Sequence, residues 1–241
     1  MKQKILFLSF SLLVLLFSTS CIFMGPPVKG NGDVMQETRT TDDFDKIKVS
    51  RGMNVYITQG DFTKVVVKAD ENLLDIIETV TEGDVLVVTT NSNIRKAKEK
   101  KVFVTTPHLE AIKCFAGSNV FSEDTIREKE MELSCSAGSN IKLELVSNHI
   151  EASAMAGSNI KLEGEVQSFY GKASSGSNIK AMDLVARKCD VKTSSGANIW
   201  ITVNNSLMGS ASSGGNIFYY GDPEDTDIHK SSGGNVIKKT E

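Results

Sequence analysis

From residue 116 onward the chain repeats one four-residue signature at a nearly fixed interval. It reads Ala-Gly-Ser-Asn at Asn119, Asn140 and Asn159, Ser-Gly-Ser-Asn at Asn178, Ser-Gly-Ala-Asn at Asn198, and Ser-Gly-Gly-Asn at Asn216 and Asn235. Successive asparagines lie 21, 19, 19, 20, 18 and 19 residues apart, and each precedes a Val or Ile. Arg-Gly-Met-Asn, ending at Asn54 before Val55, is an earlier copy. A unit this short cannot bury an apolar face by itself. It becomes stable only by stacking on its neighbours.

The residues around each asparagine show how the unit is built. Counting back from Asn140, positions −9, −7, −5 and −3 are Met131, Leu133, Cys135 and Ala137. In the next copy they are Ile150, Ala152, Ala154 and Ala156, followed by Phe169, Gly171, Ala173 and Ser175, and then by Cys189, Val191, Thr193 and Ser195. Mostly polar residues stand between them. After the asparagine the alternation resumes, with Ile141, Leu143 and Leu145 on one side and Lys142 and Glu144 on the other. Period-two alternation marks half-buried strands. The pattern predicts that −9 to −3 face inward and shrink toward the corner. The invariant glycine at −2 predicts either a positive φ or backbone packed too closely for a Cβ.

Parallel strands stacked about 4.8 Å apart would join these units into one core. The expected fold is therefore all-β, a right-handed single-stranded parallel β-helix of about 19 residues per turn. An antiparallel barrel or sandwich is the alternative, but it gives no reason for identical corners at constant period. The N-terminal third fits the template loosely and predicts atypical, capping turns. Val65 to Val67, Val85 to Val88 and Val102 to Val104 are strand candidates there, and Glu71 to Ile77 a short helix or turn.

The N-terminus has a targeting character. Lys2 and Lys4 precede the apolar run Ile5–Phe17, which is too short to span a bilayer comfortably. Ser18-Thr19-Ser20 then lead into Cys21, the pattern of a lipoprotein signal peptide, although Ser18 stands where Leu is usual. Residues 1–20 are accordingly assigned to a signal peptide, 21–41 to lipid attachment at Cys21 and a flexible tether, and 42–241 to the β-helix. The lipid would make the membrane a partner. The formal net charge of −3 gives no basic imbalance for nucleic acid.

Candidate chemistry is sparse. His108, His149 and His229 fall in separate turns without ligand spacing, so neither a metal nor a cofactor is expected. Glu144 and Glu163 would be neighbours in adjacent turns, as in a glycosidase pair, but Lys142, Lys161 and Lys180 share their face and favour solvated ladders. Cys114 and Cys135 share position −5 and would lie close enough to bond, or rest as buried free thiols. Position +2 runs Phe121, Lys142, Lys161, Lys180, Trp200, Phe218, Ile237 and should face outward. There Trp200 and Phe218 would stack, with Tyr220 and Lys180 beside them, as a candidate patch for a glycan or protein ligand. The asparagines 119, 140, 159, 178, 198, 216 and 235 should form a structural corner ladder through their side-chain amides.

The Gly-x-Asn-Ile/Val corners, the opening run Phe44–Asp61 (FDKIKVSRGMNVYITQGD) and the lipoprotein-like leader together resemble the head GIN domain family, envelope proteins common in Bacteroidetes and described as auto-transporter adhesins. The resemblance covers roughly residues 42–241. It implies a right-handed β-helix and a cell-envelope location, and it supplies no catalytic residues. The expected function is a non-catalytic binding or adhesion scaffold of an outer-membrane-anchored lipoprotein. A polysaccharide-active β-helix enzyme and a purely structural envelope protein are the alternatives.

Overall fold

The computed structural model describes residues 26–240. The signal-peptide assignment and Cys21 lie outside them. The strands in chain order are β1 Val28–Lys29, β2 Val34–Arg39, β3 Lys46–Val49, β4 Asn54–Gln59 and β5 Lys64–Asp70. A 3₁₀ turn, Glu71–Ile76, precedes β6 Ile77–Glu82, β7 Val85–Thr90, β8 Ile94–Lys96, β9 Lys100–Thr106 and β10 Ala111–Cys114. Five long strands follow: β11 Asn119–Cys135, β12 Asn140–Ala154, β13 Asn159–Ala173, β14 Asn178–Thr193 and β15 Asn198–Ala211. The chain closes with β16 Asn216–Tyr220, β17 Asp225–Lys230 and β18 Asn235–Lys238.

Each long strand is one coil, running from its asparagine almost to the next corner. Consecutive coils pair in parallel along their length, with Asn119 opposite Asn140, Asn140 opposite Asn159, and so on to Asn216 opposite Asn235. The result is a β-solenoid of about 7 turns with ~19 residues per turn. The spacing irregularities are absorbed by bulges, between Phe121 and Thr125 and between Ala181 and Val185 for example. There the extra residues leave the ladder without moving the corners.

The core is a set of columns along the stack. Val55, Val120, Ile141, Ile160, Ile179, Ile199 and Ile217 form one, all 0–1% exposed. Burying each such side chain contributes about 1.5–3 kcal/mol. Size is balanced between columns. Phe169 is fully buried, and a Cβ on Gly171 would stand 2.6 Å from its ring, so the glycine makes room for the phenyl group. One inward assignment needs correction. Position −3 (Ala137, Ala156, Ser175, Ser195) lies in the turn and not in the core, whereas −1 is buried, with Ser118, Ser139, Ser158 and Ser177 at 0% exposure.

The N-terminal end departs from sequence order. β3 and β4 make the coil beneath β10 and β11, and the excursion 60–110 returns to place β7 under β3 and β9 under β4, again in parallel. Antiparallel β6 and β5 then border β7 and β9, and the 3₁₀ turn buries Leu73 and Leu74. These are the atypical turns of a cap.

The segment 28–39 corrects the tether assignment. β1 pairs with β8, and β2 lies antiparallel on β5 along Val34–Arg39. The buried carboxylate of Asp70 fixes the intervening loop by accepting from the backbone N–H groups of Gly32 (3.0 Å), Lys98 (3.0 Å) and Glu99 (3.0 Å). The Asn31 N–H donates to Asn72 Oδ1 at 2.9 Å, and Asn72 Nδ2 donates to the Lys29 carbonyl at 2.9 Å. Gly30 is required because a Cβ there would run into the Asp70 side chain. A stretch that looks like a linker by composition is therefore a strand held by side chains from 70–72.

Candidate binding face and the corner ladder

The corners are two-residue turns with both central residues in the left-handed region. Ala156 has φ 53° and Gly157 φ 70°, and at every corner from Arg51 and Gly52 to Ser232 and Gly233 the pair stays within 47–57° and 69–76°. The Ser158 N–H reaches the Met155 carbonyl at 3.4 Å across the turn. Both signs of φ match the primed turns that suit right-twisted strands. A Cβ on Gly157 would meet nothing within 4 Å, so the glycine serves the backbone angle and not a close contact.

The −1 serine stitches three successive corners to the previous coil, whereas Ser118 Oγ, equally buried, has no hydrogen-bond partner among the described residues. Ser139 Oγ donates to the Cys114 carbonyl at 2.7 Å, Ser158 Oγ to the Cys135 carbonyl at 2.8 Å, and Ser177 Oγ to the Ala154 carbonyl at 2.7 Å. In a later copy −1 is Gly215, where a Cβ would lie 2.8 Å from Thr193 Oγ1 and 2.9 Å from the Thr193–Ser194 backbone, so the coil before it leaves no room for a side chain. The asparagines stand in one column. Asn119 Nδ2 donates to Asn54 Oδ1, Asn140 to Asn119, Asn159 to Asn140, Asn178 to Asn159, Asn198 to Asn178, Asn216 to Asn198 and Asn235 to Asn216, all at 2.8–3.0 Å. Every donor points the same way along the stack, and Asn54 Nδ2 closes the run on the Lys100 carbonyl at 3.2 Å.

The outward +2 column is in strict register: Tyr56, Phe121, Lys142, Lys161, Lys180, Trp200, Phe218, Ile237, with Phe103 preceding Tyr56. Trp200 and Phe218 are stacked, centroids 5.3 Å apart, and both are half-buried. Tyr220 lies opposite Thr202 two residues along, and Lys180 is Trp200's neighbour on the other side. Lys239 sits 5.1 Å above the Phe218 ring. At the other end, Tyr56 stacks on Phe103 at 5.3 Å and on Phe121 at 5.2 Å. Three lysines separate the two aromatic stacks. Tyr56 is position +2 of the early copy at Asn54, whereas Phe103 escapes the repeat template because it belongs to a capping coil without the corner signature; its place beside Tyr56 in the sheet reveals it.

The carboxylates on this face are structural partners of its lysines. Lys161 Nζ lies 2.7 Å from Glu163 and 3.7 Å from Asp183. The hydrogen bond from Lys161 holds the Glu163 carboxyl below its usual range. A general acid at neutral pH needs the opposite shift. Cys114 and Cys135 are register neighbours, and both are free and buried. Their mutual hydrogen bond, with burial, pushes the Cys114 thiol up. Burial alone pushes Cys189 up to about 12. The three histidines lie apart: His108 near Glu128 at 3.6 Å, His149 bonded to Ser168 at 2.9 Å, and His229 near Asp227 at 3.3 Å. No group of three or more potential metal ligands occurs among the described residues. No helix among them is long and apolar enough to cross a membrane.

A stack of parallel coils with Gly-x-Asn corners and flat outer strand faces defines a parallel β-solenoid. The sequence profile of the family described as "putative auto-transporter adhesin, head GIN domain" matches residues 43–223, and the chain belongs to that family. A crystal structure of a "putative adhesin" from Bacteroides fragilis superposes with a TM-score of 0.78 at 19% identity, covering 88% of this chain and 100% of that one. A "putative lipid binding protein" from Parabacteroides distasonis gives 0.69 at 20% identity over 89% of this chain and 100% of that one. A "putative adhesin" from Parabacteroides merdae gives 0.67 at 19% identity over 90% and 100%. No curated protein is recognisably similar in sequence.

Proposed function

We propose that the protein is a non-catalytic cell-envelope lipoprotein, anchored through a lipid on Cys21, whose β-solenoid is a scaffold that binds a glycan or protein ligand on the outward +2 column. The observation that carries this reading is the Trp200–Phe218 stack, half-exposed on a flat face, with Tyr220 and Lys180 beside it. Aromatic rings next to hydrogen-bonding groups suit ligands that are apolar on one side and polar on another. Membership of a family described as adhesins agrees with it. The non-catalytic part rests on the carboxylates. Glu144 and Glu163 are neighbours in register, but Glu163 is tied to Lys161 and held ionised, so it does not supply a proton donor. The test is a glycan array probed with the full-length chain in detergent and with its Trp200→Ala variant. Binding that the variant loses is expected; equal signals from both would remove this face from consideration. The anchor is tested separately: Cys21→Ser should move the protein from the membrane to the soluble fraction, and retention in the membrane would rule out the lipid.

A further inference from the structure

The second aromatic stack opens onto a groove that the Trp200 patch does not include. Its volume is about 370 Å³, and Tyr56, Phe121, Ser122, Glu123, Lys142, Glu144 and Glu163 line it. That is within the size range of small-ligand sites. One side of Phe121 is covered by Tyr56 at 5.2 Å. On its other side the next strand supplies Lys142, so no ring covers it there. The groove therefore has an aromatic wall with a side left free.

Its polar groups are fixed in place. Glu144 Oε1 accepts from Thr125 Oγ1 at 2.5 Å, and the Glu144 N–H donates to Ser122 Oγ at 2.9 Å. Glu163 Oε1 is held by Lys161 at 2.7 Å, and Glu123 Oε2 by Thr58 Oγ1 at 3.3 Å. Each of the three carboxylates is anchored through one oxygen and keeps the other without a protein partner among the described residues. Anchored acceptors cost little further ordering when a ligand arrives. Charge then selects the ligand: three carboxylates are set against Lys142 and against Lys161, which is paired to Glu163, so the groove keeps a net negative charge. Free carboxylate oxygens beside an aromatic wall suit a group that carries a positive charge and hydroxyls together.

We infer that this groove is a saccharide subsite for an amino sugar bearing a free, protonated amine. The ring would pack against Phe121, and the ammonium and hydroxyls would donate to Glu144, Glu163 and Glu123. It lies four strand spacings, about 19 Å, from Trp200 along the same column. The inference rests on the scaffold reading of that face but assigns a separate site and a ligand class.

The probes are β-1,4-linked hexasaccharides: glucosamine, its N-acetylated counterpart and galacturonic acid for the acidic case. Binding to the full-length chain in detergent is measured by calorimetry below the titration of the amine. The glucosamine oligomer should bind tightest and weaken with added salt. Glu144→Gln should cost about tenfold in affinity, the loss of one charge-assisted contact. Phe121→Ala should do the same, with Glu144→Gln as the variant that leaves the aromatic stack intact. Lys230→Ala, an exposed side chain on β17 outside both aromatic stacks, should leave this binding unchanged. Equal affinity for the glucosamine and N-acetylated oligomers, or an unchanged affinity in Glu144→Gln, would overturn the assignment. Loss of binding in Trp200→Ala with Glu144→Gln unaffected would also overturn it while supporting the Trp200 patch. No binding of any oligomer in either variant or parent would overturn it and count against glycan recognition by the whole face.

Discussion

At the scale of single residues, the corner asks three different things of three adjacent positions. The −2 glycine supplies a left-handed angle with open space around it. Gly157→Val should therefore cost only the conformational penalty, about 1–2 kcal/mol, read as a shift in urea midpoint. A larger loss would mean that the side chain meets a neighbour after all. The −1 serines Ser139, Ser158 and Ser177 each turn the hydroxyl into the core and onto the carbonyl of the coil before. The asparagine gives one amide hydrogen bond and takes another. Asn159 has both partners, Asn140 and Asn178, whereas Asn235 donates to Asn216 and has no following copy above it among the described residues. Asn159→Leu should cost about 1–3 kcal/mol and Asn235→Leu less than about 1 kcal/mol, as chemical denaturation can measure. Equal costs at both positions would show that the amides act singly and not as a chain. The glycine and asparagine requirements were legible in the sequence because they recur. The inward serine was not, since serine at −1 gives way to Ala197, Gly215 and Gly234 in later copies.

At the scale of elements, the coils after residue 111 were readable because period-two alternation and a fixed period reinforce one another. The N-terminal cap was not. Its strands pair antiparallel or return out of sequence order, so no repeat announces them, and β2 shows an almost fully exposed face. What holds β2 is polar and long-range, centred on Asp70. Burial alone would raise the pKa of this carboxyl, but the N–H groups of Glu99, Lys98 and Gly32 and the charge of Lys98 outweigh it and hold it below its ordinary value of 3.8. A depressed carboxylate stabilises the folded state fully above its unfolded pKa and loses that contribution as the pH falls through the folded one. Hydrogen exchange should thus show protection of Val34–Arg39 that is constant at neutral pH and decays in strong acid. Asp70→Ala should remove it at every pH, at a cost of about 2–3 kcal/mol, because three backbone donors lose their acceptor. Protection of β2 that persists in that variant would place its support elsewhere.

At the scale of the whole molecule, stacking identical coils converts a sequence period into straight columns. The inward columns make a continuous core, and the outward ones make flat, regularly spaced rows of side chains. Aromatic residues and lysines share one such row, and both proposed sites fall on it. The composition of that row was legible from Phe121 onward, and the copy at Asn54 carries Tyr56 at the same position; its extension to Phe103 depends on a coil order that the sequence does not follow. Trp200 is the sole tryptophan of the chain, so its emission reports on the centre of the proposed face without any label. The most direct test of the binding role is a fluorescence titration of the full-length chain with each glycan whose array signal the Trp200→Ala variant loses. Saturable quenching or a blue shift of the Trp200 emission, at concentrations matching the calorimetric affinity, is the predicted result. A glycan of that set that calorimetry shows to be bound while the Trp200 emission stays unchanged would contradict it.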